Sequence, residues 1–143
     1  MNDYLAGKNI VITGAGSGIG KAIALSVARE GANIVVADYG VALDGSEPTN
    51  DIAESTAEEI RSLGVEAIPV AGDVSKMETG AQIISTAIEN WGSVDGVVCV
   101  AGILRERMLF NMSEDEWDAV IAVPLKGHFT VYRHAMAAMR KQD

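Results

Sequence analysis

A glycine-rich turn between an apolar run and a helical stretch is the strongest chemical signal in this chain. It reads Thr13-Gly14-Ala15-Gly16-Ser17-Gly18-Ile19-Gly20. A turn that follows a strand and opens a helix is the context that phosphate binding requires. Glycine lets the backbone approach a pyrophosphate closely, and the amides at the positive end of the helix attract the anion. The turn therefore predicts a dinucleotide site; the alternative is a glycine turn that only packs the helix.

Asp38 is the second candidate, because it stands at the end of the second apolar run, 18 residues beyond Gly20. A carboxylate there can accept hydrogen bonds from the hydroxyls of the adenosine ribose, and its charge repels a 2′-phosphate. No Arg or Lys follows it closely. The pair of signals favours NAD over NADP. The alternative is a strand-end carboxylate that only meets solvent.

Two alternating periodicities predict the elements that hold these residues. Strands are predicted at 9–13, 33–37, 65–70 and 94–100, and helices at 18–30, 51–63, about 75–91 and 113–139. Capping-box spacing begins the third helix at Ser75 and the fourth at Ser113. The first helix has Ile19, Ile23 and Val27 on one face. This order predicts an α/β fold: a Rossmann-like doubly wound parallel sheet, order 3-2-1-4, with helices on both faces.

Taken together, these motifs resemble the classical short-chain dehydrogenases/reductases, and the resemblance covers nearly the whole chain. The turn matches TGxxxGIG, and Asp73-Val74 resembles a pair that contacts adenine. The segments 101–108 and 113–121 are similar to 3-oxoacyl-carrier-protein reductases and to (3R)-hydroxyacyl-CoA dehydrogenase units of multifunctional β-oxidation enzymes. The insert at 39–45 is closer to the latter.

The resemblance implies hydride transfer between NAD(H) and a hydroxyl or ketone, with a 3-hydroxyacyl or 3-oxoacyl thioester as one substrate. The cofactor-binding residues are predicted to be Gly14, Gly16, Ser17, Gly18, Ile19, Gly20, Asp38, Tyr39, Asp73, Val74, Ala101 and Gly102. We expect residues 1–143 to form one dinucleotide-binding domain whose C-terminal strands are missing.

The departures from the family pattern concern the catalytic end. Cys99-Val100 replaces the usual Asn-Asn, and Pro124 stands where the family usually has Asn. Proline within a helix removes a donor, so a kink or break is expected at a cost of about 3 kcal/mol; a kink that the family tolerates is the alternative.

The proton-transfer residues of the family have no counterpart here. The family places a catalytic Ser after a fifth strand and a Tyr-x-x-x-Lys pair on the next helix. The one literal match to that spacing, Tyr4 and Lys8, precedes the first strand, and Met136 follows Tyr132 where lysine is needed. No catalytic residue is therefore assigned, and the chain alone is predicted to be incompetent. The alternative is a non-catalytic NAD-binding or assembly module.

Composition limits the partners. A net charge of −9 without a basic patch argues against nucleic acid, and no apolar run reaches membrane-spanning length. The single cysteine, Cys99, forms no internal disulfide, which favours the cytoplasm. His128 and His134 have no third ligand, so no metal is expected. The exposed edge of the fourth strand and the long last helix predict a homo-oligomer or a complementing chain.

Overall fold

A computed structural model describes residues 3–40 and 50–142. One parallel sheet contains β1 (Asn9–Thr13), β2 (Asn33–Asp38), β3 (Ala67–Ala71) and β4 (Gly96–Cys99), in the order β3-β2-β1-β4. Three helices connect the strands: α1 (Gly18–Arg29), α2 (Asp51–Arg61) and α3 (Met77–Trp91). The predicted fold class and strand order are confirmed. Part of the predicted insert, residues 41–45, lies outside the described residues.

Alternating residues of the strands form two apolar layers, one on each face of the sheet. Ile12 and Ile34 pack with the small residues of α1 and with α2, whereas Val11 and Val35 pack with α3 and with the last helix. All four of these strand side chains are fully buried. Strands that are apolar on both faces are typical of a sheet covered by helices on both sides.

The last helical stretch consists of α4 (Glu114–Val120), a π-helical segment (Ile121–Lys126) and α5 (Gly127–Met139). The predicted capping box at Ser113 is confirmed, because its side chain accepts from the Glu116 amide and the Glu116 carboxylate accepts from the Ser113 amide. The Glu116 carboxylate also accepts from the Arg107 guanidinium at 2.7 Å. The hydrogen bond from the Ser113 amide, and after it the one from Arg107, hold the pKa of Glu116 below its usual value.

The kink or break expected at Pro124 takes the form of a π-helical segment: the α-helical pattern is interrupted at Ile121–Lys126, although the chain stays helical through the proline. The Gly127 amide donates to the carbonyl of Ala122, five residues back, as well as to Val123. A widened turn of this kind accommodates a residue that has no N–H and whose ring crowds the preceding turn. The structure thus accommodates proline by widening one turn.

Two local predictions are wrong: the start of the third helix and the buried face of the first. The third helix begins at Met77 rather than at Ser75, because Asp73 accepts from the Ser75 amide and so forms a turn there. Ile19 does not share a buried face with Ile23 and Val27, since its side chain is 72% exposed. The buried face of α1 is formed by Gly20, Ala24 and Ala28.

Candidate dinucleotide site

The reversal of strand order places a cleft between β1 and β4. β2 and β3 lie on one side of β1 and β4 lies on the other, so the connections diverge at the carboxyl ends of β1 and β4. Ligands of open α/β sheets bind at such a point. The cleft here has a volume of about 460 Å³.

The cleft brings together eleven of the twelve predicted cofactor-binding residues. They are Gly14, Ser17, Gly18, Ile19, Gly20, Asp38, Tyr39, Asp73, Val74, Ala101 and Gly102. The twelfth, Gly16, does not line the cleft, but its amide donates to the carboxylate of Asp38, which does. Five further lining residues were not predicted: Ile52, Gly72, Val100, Ile103 and Val123.

The glycine turn is compact because its glycines touch other backbone. A β-carbon on Gly14, whose φ is +68°, would lie 2.7 Å from the Ala101 nitrogen, at the end of β4. A β-carbon on Gly20 would collide with the carbonyl oxygen of Gly14. Thr13 joins the two strands here, since its carbonyl accepts from the Val100 amide at 3.1 Å. The turn can therefore hold its shape only with glycine at Gly14 and Gly20.

The start of α1 presents amides to the cleft. Among the described residues, the first amide of this helix with a main-chain acceptor is that of Lys21, which donates to Ser17 at 3.1 Å. The amides of Gly18, Ile19 and Gly20 precede it, and all three residues line the cleft. A β-carbon on Gly18 would meet nothing within 4 Å, so this side is open. Amides and a helix dipole so directed fit a pyrophosphate.

Asp38 is held against the turn by two backbone amides. Its Oδ2 accepts from Gly16 and its Oδ1 from Gly40, each at 2.8 Å. Each carboxylate oxygen has a further lone pair, which can accept from a ribose hydroxyl. Thr56 of α2 supports the same turn by donating to the Gly16 carbonyl at 3.3 Å. The described residues therefore fit the adenosine half of a nicotinamide dinucleotide.

Asp73 and Val74, which follow the end of β3, also line the cleft. The Asp73 side chain accepts from the Ser75 amide at 2.9 Å, and the buried Thr130 hydroxyl donates to the Val74 carbonyl at 2.6 Å. Because α5 carries Thr130, the position of Val74 depends on the last helix.

The family model for short chain dehydrogenases matches residues 8–143. The chain belongs to the short chain dehydrogenase family. Members of this family are oxidoreductases that typically use NAD or NADP.

Individual members of the family are similar over almost the whole chain. A hydroxyacyl-CoA dehydrogenase of Mycobacterium tuberculosis is 48% identical over 95% of this chain and 41% of its own length. A 3-oxoacyl-[acyl-carrier-protein] reductase of Staphylococcus epidermidis is 37% identical over 94% of the chain and 52% of its own length. The solved structure of a short chain dehydrogenase from Mycobacterium avium superposes with a TM-score of 0.86 at 48% identity, covering 95% of this chain and 49% of that one. The chain thus spans about half the length of these relatives or less.

The departures from the short chain dehydrogenase pattern fall at the β4 end of the cleft. Val100 and Val123 line it there, beside Pro124. Cys99 does not line the cleft but packs into the layer between the sheet and α5. Burial raises the pKa of the Cys99 thiol, and burial beside Cys99 raises that of Tyr132. A thiol that stays protonated is a poor nucleophile, which agrees with a packing role.

Within residues 3–40 and 50–142, no helix is both long and apolar enough to cross a bilayer. Over the same ranges, no three His, Cys, Asp or Glu side chains cluster in a way that could hold a metal ion. Tyr4 lies in a turn ahead of β1 and not on a helix.

Proposed function

We propose that this chain is the NAD(H)-binding part of an oxidoreductase that acts on a hydroxyl or ketone. The observation that carries the proposal is the position of the Asp38 carboxylate, which is bonded to the Gly16 amide inside the same cleft as the start of α1. In this arrangement the α1 amides bind the pyrophosphate and Asp38 binds the adenosine ribose. Asp73, Val74 and Tyr39 surround the adenine.

Ala101 and Gly102, which line the cleft after β4, would hold the nicotinamide half of the dinucleotide. The nicotinamide supplies the hydride acceptor or donor when bound. The chain's own contribution at this end is a wall without charged side chains, formed by Val100, Ile103 and Val123. Such a wall excludes water from the place where hydride is exchanged.

Charge favours NAD over NADP in this proposal. Asp38 faces the position that a 2′-phosphate would take, and the cation that follows the turn, Lys21, is paired with Glu59 at 2.8 Å. Lys21 is therefore already neutralised by a partner on α2. A phosphate beside Asp38 would meet repulsion without a compensating cation.

A 3-hydroxyacyl or 3-oxoacyl thioester is the proposed substrate class. It is suggested by the relatives, whose names specify hydroxyacyl-CoA and 3-oxoacyl-carrier-protein chemistry. The 143 residues by themselves are proposed not to turn over, because the family's Ser and Tyr-x-x-x-Lys have no match placed at this cleft. The cytoplasmic location and the single-domain organisation stay predictions from the sequence.

The test is a titration of the purified 143-residue chain with NADH and with NADPH, followed by nicotinamide fluorescence and by calorimetry. Saturable NADH binding with at least roughly tenfold weaker NADPH binding supports the proposal, because that ratio corresponds to about 1.4 kcal/mol of discrimination. If neither nucleotide binds, the cofactor role of this chain is wrong. If both bind equally, the preference for NAD is wrong.

The second candidate is a non-catalytic module that holds NAD or pairs with a full-length relative. It is favoured by Cys99, Val100 and Pro124, which replace the family's amide side chains at the catalytic end. The two candidates separate when the chain is mixed with a fragment that carries the family's catalytic residues. Restored hydride transfer favours the first, whereas retained NADH binding without rescue favours the second.

The long helical stretch presents an apolar stripe that we propose as the contact with a second copy of this chain. Its residues recur every three or four positions and are 38% to 64% exposed: Trp117, Ile121, Leu125, Phe129, Tyr132 and Met136. Residues at this spacing share one face of a helix. Half-exposed β4 is one of the two edge strands of the described sheet, and it contacts α5. Members of this family often oligomerise, and a complementing chain is the other occupant to be tested.

Replacing Phe129 with glutamate is expected to weaken self-association by roughly a hundredfold or more, because an unpaired charge would be buried in the contact. Sedimentation velocity over a concentration series measures the change. The matched control is Ile88→Glu, since Ile88 is an exposed isoleucine on α3, outside the stripe. If the wild-type chain is monomeric at all concentrations and stays so with a complementing fragment, the stripe is not an interface.

A further inference from the structure

Ile52 is an unpredicted cleft residue that lies beside the Asp38 carboxylate, with both side chains against Gly16. It stands in the first turn of α2, half-buried, and its side chain lines the cleft. A β-carbon placed on Gly16 would collide with the Cγ2 methyl of Ile52 and would lie 2.8 Å from Asp38 Oδ2. The methyl group and the carboxylate oxygen therefore lie against the same face of Gly16.

This arrangement leaves an apolar wall next to the carboxylate. A 2′-phosphate on a ribose bound by Asp38 would need room for three oxygens, and hydrogen-bond donors for them. The Ile52 side chain occupies volume at this place and has no donor. The N-terminal end of α2, which is positive because of the helix dipole, attracts a phosphate only weakly, because Asp51 and Glu54 carry negative charge in its first turn.

We infer that Ile52 is a specificity-determining residue. Its side chain excludes a ribose 2′-phosphate sterically and keeps water from solvating that phosphate. This inference rests on the proposed function, since it assigns the adenosine ribose to the Asp38 carboxylate, beside which Ile52 lines the cleft. It adds to the charge of Asp38 a second, independent contribution, which does not depend on ionic strength. Discrimination between two ligands is the difference between their binding free energies, so both contributions count.

The probes that isolate this contribution are 5′-AMP and adenosine 2′,5′-bisphosphate, which differ only in the 2′-phosphate. Calorimetry gives the ratio of their dissociation constants for the 143-residue chain. Ile52→Ala is expected to reduce the preference for 5′-AMP by roughly tenfold or more, the lower end of the range for one methylene in an apolar pocket. Ile52→Val, which keeps the branched β-carbon, is expected to retain most of the preference.

The matched control is Ile19→Ala, because Ile19 also lines the cleft but belongs to α1, at the pyrophosphate end. It is expected to change the affinity for both probes by the same factor. Ile52→Arg changes the same position without leaving a cavity. It is expected to strengthen binding of the bisphosphate, because the guanidinium would pair with the 2′-phosphate.

The outcomes separate the inference from the function on which it rests. If the wild type binds 5′-AMP and the ratio stays unchanged in both Ile52→Ala and Ile52→Arg, Ile52 does not determine specificity and the inference is wrong. If the wild type binds neither probe and does not bind NADH, the proposed function is wrong and the inference with it. A ratio that falls equally in Ile19→Ala also overturns the inference, because the effect would then not be local to the ribose.

Discussion

Replacing Asp38 with alanine is expected to weaken NADH binding by roughly tenfold to a hundredfold. A hydrogen bond to a charged group contributes about 1.5–3 kcal/mol, and each 1.4 kcal/mol is about a factor of ten in affinity. The substitution also releases the amides of Gly16 and Gly40, which the carboxylate accepts at 2.8 Å. The affinity for NADH is therefore lost through the ribose contact and through a loosened turn.

The same substitution is expected to leave NADPH binding unchanged or to strengthen it. Two unit charges about 4 Å apart at an effective dielectric constant of about 20 repel by about 4 kcal/mol. Solvent near the cleft mouth reduces this value, and about half of it still corresponds to roughly thirtyfold. The ratio of the two dissociation constants is therefore expected to shift by more than roughly tenfold toward NADPH, and parallel fluorescence titrations measure it.

Two control variants separate the local contact from general electrostatics. Asp38→Asn keeps the shape but removes the charge and offers donors to amides that need acceptors, so it is expected to behave like alanine for NADH. Asp115→Asn removes one negative charge from the exposed start of α4, outside the cleft. If Asp115→Asn shifts the ratio as far as Asp38→Ala does, the effect comes from net charge, and the assignment of Asp38 to the ribose is wrong.

Local signals are the part of the fold that the sequence predicts well. The bounds of β1 agree with the prediction, and the capping box at Ser113 forms as expected. Both depend on residues close in the chain, namely a β-branched run before glycine and a Ser-x-x-Glu spacing. The bounds of β3 and β4 are shorter or shifted, since they depend on pairing with neighbouring strands.

The residues that were missed depend on contacts between distant segments. Ile19 is exposed because Gly20, next to it, faces inward, where it touches the Gly14 carbonyl. Ile52 was not predicted as a cleft residue, because its position against Gly16 depends on how α2 meets the turn, some 36 residues away in sequence. The π-helical segment around Pro124 was not predicted in this form, because a proline in the sequence indicates that the helix is disturbed but not that one turn widens.

Replacing Gly20 with alanine is expected to lower the free energy of unfolding by about 1–3 kcal/mol, although alanine normally stabilises a helix. The reason is that the new methyl group would meet the Gly14 carbonyl, which is backbone and cannot rotate away. Either α1 or the turn must move. Denaturant unfolding followed by circular dichroism measures the change, and its sign is opposite to that given by helix propensity alone.

NADH binding by the Gly20→Ala variant is expected to fall by roughly a hundredfold, even at a temperature where the variant is folded. The turn and the start of α1 supply the amides for the pyrophosphate, and the loss of about two charged hydrogen bonds corresponds to about 3 kcal/mol or more. Calorimetry well below the unfolding transition separates this loss from instability.

Gly31→Ala is the matched control, because Gly31 also lies against backbone, just beyond the other end of α1. Its φ is +94°, and its β-carbon would lie 3.1 Å from the Cα of Ala6. This variant is also expected to be destabilised but to keep its NADH affinity, since Gly31 does not line the cleft. If Gly20→Ala is as stable as the wild type and binds NADH normally, the close contact between Gly20 and the Gly14 carbonyl is not required for the fold or for cofactor binding. If both variants lose affinity equally, the loss reflects general destabilisation, and the pyrophosphate role of the turn has no support from it.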